Sequence, residues 1–522
     1  MDSVELKTPG YMLYCVLIAC LGSFSNGWVI GSPNVPGEIT HNCPTGNAHL
    51  ANPKFPDCLP MDNALWGFAV ASFCVGGLVG GLVGGPIQTK VGRKRAIILN
   101  TSGWIVGGIL GGLAVNTAMF VVGRIFCGLA CGLGSLAIPT YIGEISTIRS
   151  RGAMGTCHQF FIVIGILLSS VVGLPTANVP LWRVTYAIVG IPAVVQALMM
   201  TTCSESPRWL VSVNRIQEAK QALGKLRGHA KIENEFYEIV EGQVGTAAAT
   251  SILRYPEEVH SDLKEKQKKE EESEKDMYPE EEDSALADVP SGRGGAAVAP
   301  TTAERGAHEA MSMLQVFRDP VTCRIALTVL ILHAIQQLIG MNAVMYFSTM
   351  IFSAVLSQDM SKYMTIVSTF VNFAVTLIAV ALIDRMGRRP LLLLAEAGAT
   401  VFSVTLVIGY AFNIGPLLVV SVFCYVASFA IGIGPIPWLI TSEMSPTYAA
   451  SSVGAAATAV NWAMNFFIGQ IFPVWFAAIG GYAFAIFAGI GVLSFLFTFL
   501  AVPETKNRSI ESIVRGYEKY RR

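Results

Sequence analysis

Charge is scarce in this 522-residue chain: 14% of residues are Asp, Glu, Lys or Arg, against 52% hydrophobic residues and a mean hydropathy of +0.52. That balance excludes an ordinary soluble domain, in which about a quarter of residues are charged. Net charge is absent as well, with 36 basic and 36 acidic residues, and nothing calls for a nucleic-acid partner. Also missing is any grouping of nucleophile, metal ligands or phosphate-binding loop, so neither an enzyme nor a cofactor is expected. The start lacks the basic region of a cleaved signal: residues 1–9 carry Asp2, Glu5 and Lys7 and lead into an apolar run long enough to span. The first helix is therefore expected to be a retained anchor.

What the chain has in abundance is apolar length. Runs near the 20 or so residues that a bilayer requires lie at 11–33, 63–87, 96–115, 117–142, 155–174 and 181–202, and again at 324–353, 362–383, 390–412, 415–440, 449–476 and 480–502. The expected fold class is an all-α membrane protein: twelve transmembrane helices in two six-helix pseudo-symmetric bundles, with short cytoplasmic helices. The bundles would occupy 1–207 and 319–502, with a segment at 208–318 between them and a tail at 503–522.

The charges that do occur sit between the runs. Lys90, Arg93, Lys94 and Arg95 follow the second run, Arg149 and Arg151 the fourth, and Arg385, Arg388 and Arg389 the eighth. Connections on the other side hold little that is basic beyond Lys54 and Lys362. The positive-inside rule then places both termini and the central segment in the cytoplasm. Within that segment, 208–243 has mixed charge at helical spacing and predicts short amphipathic helices. Residues 255–305 hold scarcely any aromatic or branched side chains. They cannot bury enough surface to offset ordering entropy, which predicts a solvated linker.

Most of the 11 cysteines fall in apolar runs, as small hydrophobes. Cys43 and Cys58 lie in the loop between the first two runs, where a disulfide and two free thiols are both open. That loop has no N-x-S/T acceptor. Asn100 opens an N-T-S, but near the cytoplasmic end of a helix, where no glycosylation is expected.

The two halves repeat each other. TKVGRK from Thr89 matches DRMGRR from Asp384 (384 − 89 = 295), Glu144 matches Glu443 (443 − 144 = 299), and ESPR at Glu205 matches ETKN at Glu504 (504 − 205 = 299). Three features at nearly one offset indicate a duplicated six-helix unit, the plan of alternating-access transporters with a site near the midplane. Among the charged residues, Arg93, Glu144, Arg151, Glu205 and Arg208 with Asp384, Arg388, Arg389 and Glu443 are expected to tie the halves together in a latch that breaks for inward opening.

Polar residues inside the seventh run mark the candidate site. His333, Gln336 and Gln337 are spaced i, i+3, i+4 and share a helix face, and Gly340 permits a break that turns Asn342 toward the same space. A single amide in a membrane helix is commonly a packing contact. Three amides and a histidine in one run favour a polar path, and amides, which donate and accept, suit an uncharged ligand rich in hydroxyls.

The stretches GGPIQTKVGRKR, VGRIFCGLACGLGSLAIPTYIGEISTIRSRGAMGTCHQ, SESPRWL, QQLIGMNAVMYF, DRMGRRPLLL, GIGPIPWLITSE, NWAMNF and PETKNRS together resemble the sugar porter family of the major facilitator superfamily, and within it the glucose facilitators. The resemblance covers nearly the whole chain outside 255–305. It implies that Gln336, Gln337 and Asn342 bind hexose with Gln159, Asn372, Trp438 and Asn465, between apolar walls of Ile162, Ile166, Phe429 and Trp462. It also implies a hinge at GIGPIP. Three departures stand out, one of them Gln337, Leu338, Ile339 where the glutamine-leucine-serine associated with glucose preference would stand, which blurs selectivity. Ala430 replaces a helix-ten glutamate of the glucose facilitators, and Ala450 replaces an arginine, which loosens the latch of the carboxyl half. Proton-coupled relatives carry an aspartate where this chain has Val29, leaving His333 as the titratable group of the pathway. The expected function is facilitated diffusion of a monosaccharide across a lipid bilayer, by family default the plasma membrane. A proton-coupled symporter and a sugar sensor that does not transport are the alternatives.

Overall fold

The computed structural model describes residues 9–147, 150–228, 232–244, 311–446, 449–506, 508 and 510–519, without the side chains of 151–153, 242–244, 384, 510–512, 518 and 519. Arg149, the linker at 255–305, and the side chains of Arg151 and Asp384 therefore lie outside the described residues. The chain divides into two units. One holds Thr8–Ser206 with Ala310–Arg522, and the other includes Pro207–Glu309.

Among its described residues the larger unit is built of helices joined by turns and loops, the longest at 42–62. Its first half contains α1 (Gly10–Gly31), a short α2 (Gly37–His41), α3 (Asn63–Val91), α4 (Arg93–Gly112), α5 (Thr117–Ile145), α6 (Arg151–Thr176) and a broken pair, α7 (Trp182–Ala187) and α8 (Gly190–Met200). In the smaller unit, α9 (Pro207–Ser212), α10 (Ile216–Arg227) and α11 (Glu233–Val244) are the expected amphipathic helices. They close over a core of their own that includes Trp209, Leu223, Phe236 and Val240, and Arg227 pairs with Glu235 at 2.6 Å.

The second half contains α12 (Met313–Arg318), α13 (Pro320–Leu338), α14 (Met341–Ser353), α15 (Gln358–Met386), α16 (Arg388–Ala411), α17 (Gly415–Ser428), α18 (Ile436–Met444), α19 (Ala450–Ile479), α20 (Ala483–Ala501) and a terminal α21 (Ile510–Lys519). Ten segments among the described residues are long and apolar enough to cross a membrane, and Ala450–Ala501 is counted once although it bends at Gly480. Dividing it, and adding the 20-residue α4 that opens on Arg93, Lys94 and Arg95, gives the twelve spans.

Small residues bring the spans together, as they must where lipid supplies no hydrophobic drive between helices. A Cβ on Gly76, Gly128 or Gly132 would strike the backbone of the facing helix, so α3 and α5 touch main chain to main chain. Gly340, at φ 96°, divides α13 from α14, and the Phe487 ring fills the place a Cβ would take. The carbonyl of Ile339 left at that break accepts from the Tyr425 hydroxyl at 2.5 Å.

The duplication extends to individual bonds. Gly92 (φ 97°, ψ 160°) and Gly387 (φ 91°, ψ 166°) turn the chain before α4 and α16. Glu205 accepts from the N–H of Lys94 at 2.9 Å, and Glu504 from those of Arg388 at 3.0 Å and Arg389 at 3.1 Å. Each carboxylate thus caps the free amides and positive dipole end of its helix. Burial pushes the Glu205 carboxyl up, against the N–H groups of Lys94, Ser206 and Arg93. Burial also works against the charge on Glu504, but there the N–H groups of Lys506, Arg388, Arg389 and Thr505 prevail and hold the carboxyl below its usual range.

These bonds correct the expected latch. Arg93 grips Glu144 at 2.9 Å and Arg388 grips Glu443 at 2.9 Å, each pair inside one half. Ser206 donates to Glu144, and Thr505 to Glu443 at 2.5 Å. Arg389 reaches the carbonyl of Phe499 at 2.6 Å, and exposed Arg208 belongs to the smaller unit. The described pairs join helices of a single half, because each carboxylate lies nearest the arginine at the start of a helix packed beside its own.

On the opposite face the halves do meet. Buried Asn34 donates to the carbonyl of Met345 at 2.9 Å and to Ser348 Oγ at 2.8 Å, and accepts from the N–H of Thr349 at 3.2 Å. Gln470 donates to the carbonyl of Ala64 at 3.0 Å. Cys43 and Cys58 of the adjoining loop are joined as a disulfide, with Cα atoms 6.0 Å apart, which decides the alternative the sequence leaves open.

Candidate functional site

The polar residues of α13 and α14 form one connected cluster. Asn342 donates to Gln337 Oε1, Gln337 Nε2 donates to Asn461 Oδ1 at 3.0 Å, and Asn461 Nδ2 donates to Gln336 Oε1 at 2.7 Å. Gln336 Nε2 then donates to the carbonyls of Ile433 at 3.1 Å and Gly434 at 2.5 Å. Donors and acceptors alternate along the chain, so each amide has one orientation.

His333 joins at the side. The Thr441 hydroxyl donates to the carbonyl of Pro437 at 2.8 Å and so accepts from His333 Nε2 at 2.9 Å. That fixes the tautomer: Nδ1 is the acceptor, facing Asn461 Nδ2 at 3.4 Å. The Trp438 indole meets the imidazole edge-on at 4.5 Å and is 39% exposed, the most open of the expected contact residues of the second half. The cluster contains no formal charge, only amides, a hydroxyl, an imidazole and aromatic surface. Such a set offers donors and acceptors suited to neutral polyhydroxylated molecules.

His333, Gln336, Gln337 and Asn342 converge as the sequence implies, and Trp438 borders them. Asn465 lies on the same helix as Asn461 but is held by the Tyr346 hydroxyl at 2.7 Å. Trp462 stands edge-on to Phe73 at 5.8 Å with its ring over Gly77, between the halves. Gln159 and Asn372 make no bond with the cluster among the described residues. Each adjoins a member of the Phe160–Phe373 contact, 5.6 Å between rings, where α6 meets α15. Ile162 and Ile166 pack their backbone against Gly27 and Gly31 of α1. Phe429 opens the irregular stretch beside Gly434, and Ala430 is buried there without a polar group.

Asn461 is the central residue that sequence reasoning missed, although it stands in the NWAMNF stretch, four residues before Asn465 and on the same helix face. Thr441 was missed as well; its hydroxyl is one of many in the spans, and only the fold brings it to His333.

A duplicated set of twelve spans around an uncharged polar cluster at helix breaks defines a multi-pass membrane transporter of the alternating-access kind, not an enzyme. The chain belongs to the sugar (and other) transporter family, whose model matches residues 15–259 and 265–517. It is 31% identical to the facilitated glucose transporter member 4 of Bos taurus over 97% of this chain and 91% of that one. To member 3 of Mus musculus it is also 31% identical, over 98% and 94%. Among solved structures, the fold matches the xylose transporter XylE of E. coli in a partially occluded inward-open conformation, with a TM-score of 0.70 and 24% identity over 96% of this chain and 99% of that one. It also matches that proton:xylose symporter bound to 6-bromo-6-deoxy-D-glucose, with a TM-score of 0.69 and 25% identity over 97% and 99%. The chain is thus a sugar porter resembling the glucose facilitators.

Proposed function

We propose that this protein carries a neutral hexose, glucose or a related monosaccharide, by facilitated diffusion. Sugar hydroxyls are bound by Gln337 and Asn342, with Asn461, Asn465, Gln159 and Asn372 contributing as the two halves, 1–207 and 319–502, close on the ligand. Trp438 covers the apolar face of the ring. The relatives named as facilitated glucose transporters support the substrate class and, by family default, the plasma membrane; the charge distribution between loops supports an orientation with both termini in the cytoplasm.

The observation that carries uniport is the surroundings of Arg124. This buried guanidinium donates to the carbonyls of Val29 at 2.8 Å and Val70 at 3.0 Å and lies 4.8 Å from the centre of the Phe73 ring. A proton-coupled carrier needs a group that gains and loses a proton in step with the conformational cycle. Beside Arg124, residue 29 is a valine, which cannot do so. In proteoliposomes, sugar should equilibrate without accumulating, and an imposed proton gradient should not drive uphill uptake. Concentrative uptake abolished by a protonophore would refute uniport and turn attention to His333. Sugar binding without any flux would favour the sensor.

A further inference from the structure

Arg124 carries a charge that no acidic side chain balances among the described residues. It lies on α5, 4% exposed, and takes part in none of the ion pairs found there. A guanidinium offers five N–H donors. One on each terminal nitrogen goes to the carbonyls of Val29 and Val70, while Nε has no acceptor among the described residues. The two carbonyl dipoles and the face of the Phe73 ring ease the charge without cancelling it. A charge buried inside a membrane span is costly, and as a rule a partner of opposite sign offsets that cost.

A cavity adjoins the guanidinium. Its lining includes Arg124, Val29, Ser32, Gly111, Cys127 and Tyr186, and contains no acidic side chain. The space available to the centre of a water-sized sphere is about 10 Å³. That is room for one water or one monatomic ion, and too little for a phosphate or a carboxylate-bearing molecule. A second donor stands in the wall. Thr40 spends its hydroxyl proton on the carbonyl of Pro36 at 2.8 Å, so the Tyr186 hydroxyl donates to Thr40 across a long 3.5 Å and gives up little by donating to an anion instead. The cavity lies near the end of α1, the end of α4 and the start of α5, at the end of the bundle that carries the 42–62 loop.

We infer that this cavity is a binding site for one monatomic anion, a halide, with Arg124 as its charged donor. The ion supplies the counter-charge that no described side chain gives. Arg124, tied to α1 at Val29 and to α3 at Val70, then joins three helices as a neutral unit. Neither sugar nor proton takes part, so the site stands apart from the transport reaction proposed above.

The test uses the purified full-length protein without sugar, and chloride as the probe. Replacing gluconate by chloride at constant ionic strength should raise the melting temperature saturably, by about 2 °C once chloride is well above its dissociation constant. The protein should broaden the chloride NMR line, and bromide should reverse the broadening whereas sulfate, too large for the cavity, should not. Val29→Asp sets a carboxylate beside Arg124 and should abolish both signals; Val29→Asn, of the same size but neutral, should keep them. A thermal shift matched by sulfate would be a general salt effect and would overturn the site. So would the absence of both signals from the parent protein, or their survival unchanged in Val29→Asp. The parent protein's selectivity for halide over sulfate decides the matter even if neither variant folds.

Discussion

Asn34 of the first half donates to Ser348 Oγ of the second across 2.8 Å, with its carbonyl oxygen turned to the N–H of Thr349. Four bonds from one 3%-exposed side chain, the fourth from the Thr349 hydroxyl at 3.5 Å, hold α14 to the turn after α1. Any state open on this face must break them. Asn34→Ala should lower the cost of opening by about 1–3 kcal/mol. A cysteine placed at Ser353 should then react with an impermeant maleimide at least five-fold faster than in the parent. Equal rates would mean that the face is held elsewhere.

Substrate affinity should respond to the two amides at the sugar end of the chain. Gln337→Ala and Asn342→Ala each remove a hydrogen bond to a neutral ligand, a loss of about 0.5–1.5 kcal/mol. The half-saturating sugar concentration should rise several-fold with surface expression unchanged. Normal affinity in both variants would move the site away from α13 and α14.

The Arg93–Glu144 and Arg388–Glu443 pairs lie inside each half, and a double-mutant cycle should detect their coupling. Arg93→Gln with Glu144→Gln should give a coupling of about 0.5–3 kcal/mol in thermal unfolding, as residues in contact do, whereas Arg93→Gln with Glu443→Gln should be additive within about 0.5 kcal/mol. Coupling across the halves would restore the latch that the sequence suggests.

Deleting 260–300 should leave transport intact, since closure entropy changes only logarithmically with the length of a connection. Uptake and surface expression are the measurements. Loss of flux in a correctly inserted deletion would assign that segment a regulatory role.

Much of the fold was legible because a bilayer imposes rules that act locally along the chain. Apolar length set the spans, and glycine at 340 with proline at 435 and 437 marked two breaks. The offsets of 295 and 299 marked the duplication, and the fold gives it paired caps at Glu205 and Glu504, each on the helix start beside it.

Partnership across the sequence was not legible in the same way. Whether Glu144 would bind Arg93 or an arginine of the other half depends on which helices pack side by side, and backbone contact at glycines decided that. Likewise the sequence placed Gln336 on the polar face of its helix, where a sugar contact is the expected role. Only the fold brought Ile433 and Asn461, 97 and 125 residues away, within reach of the same amide. Helix length and polarity are properties of neighbouring residues and can be read in order. The partner of a buried amide is set by the packing of distant helices, because each donor must be satisfied by whichever acceptor the tertiary fold brings within 3 Å or so.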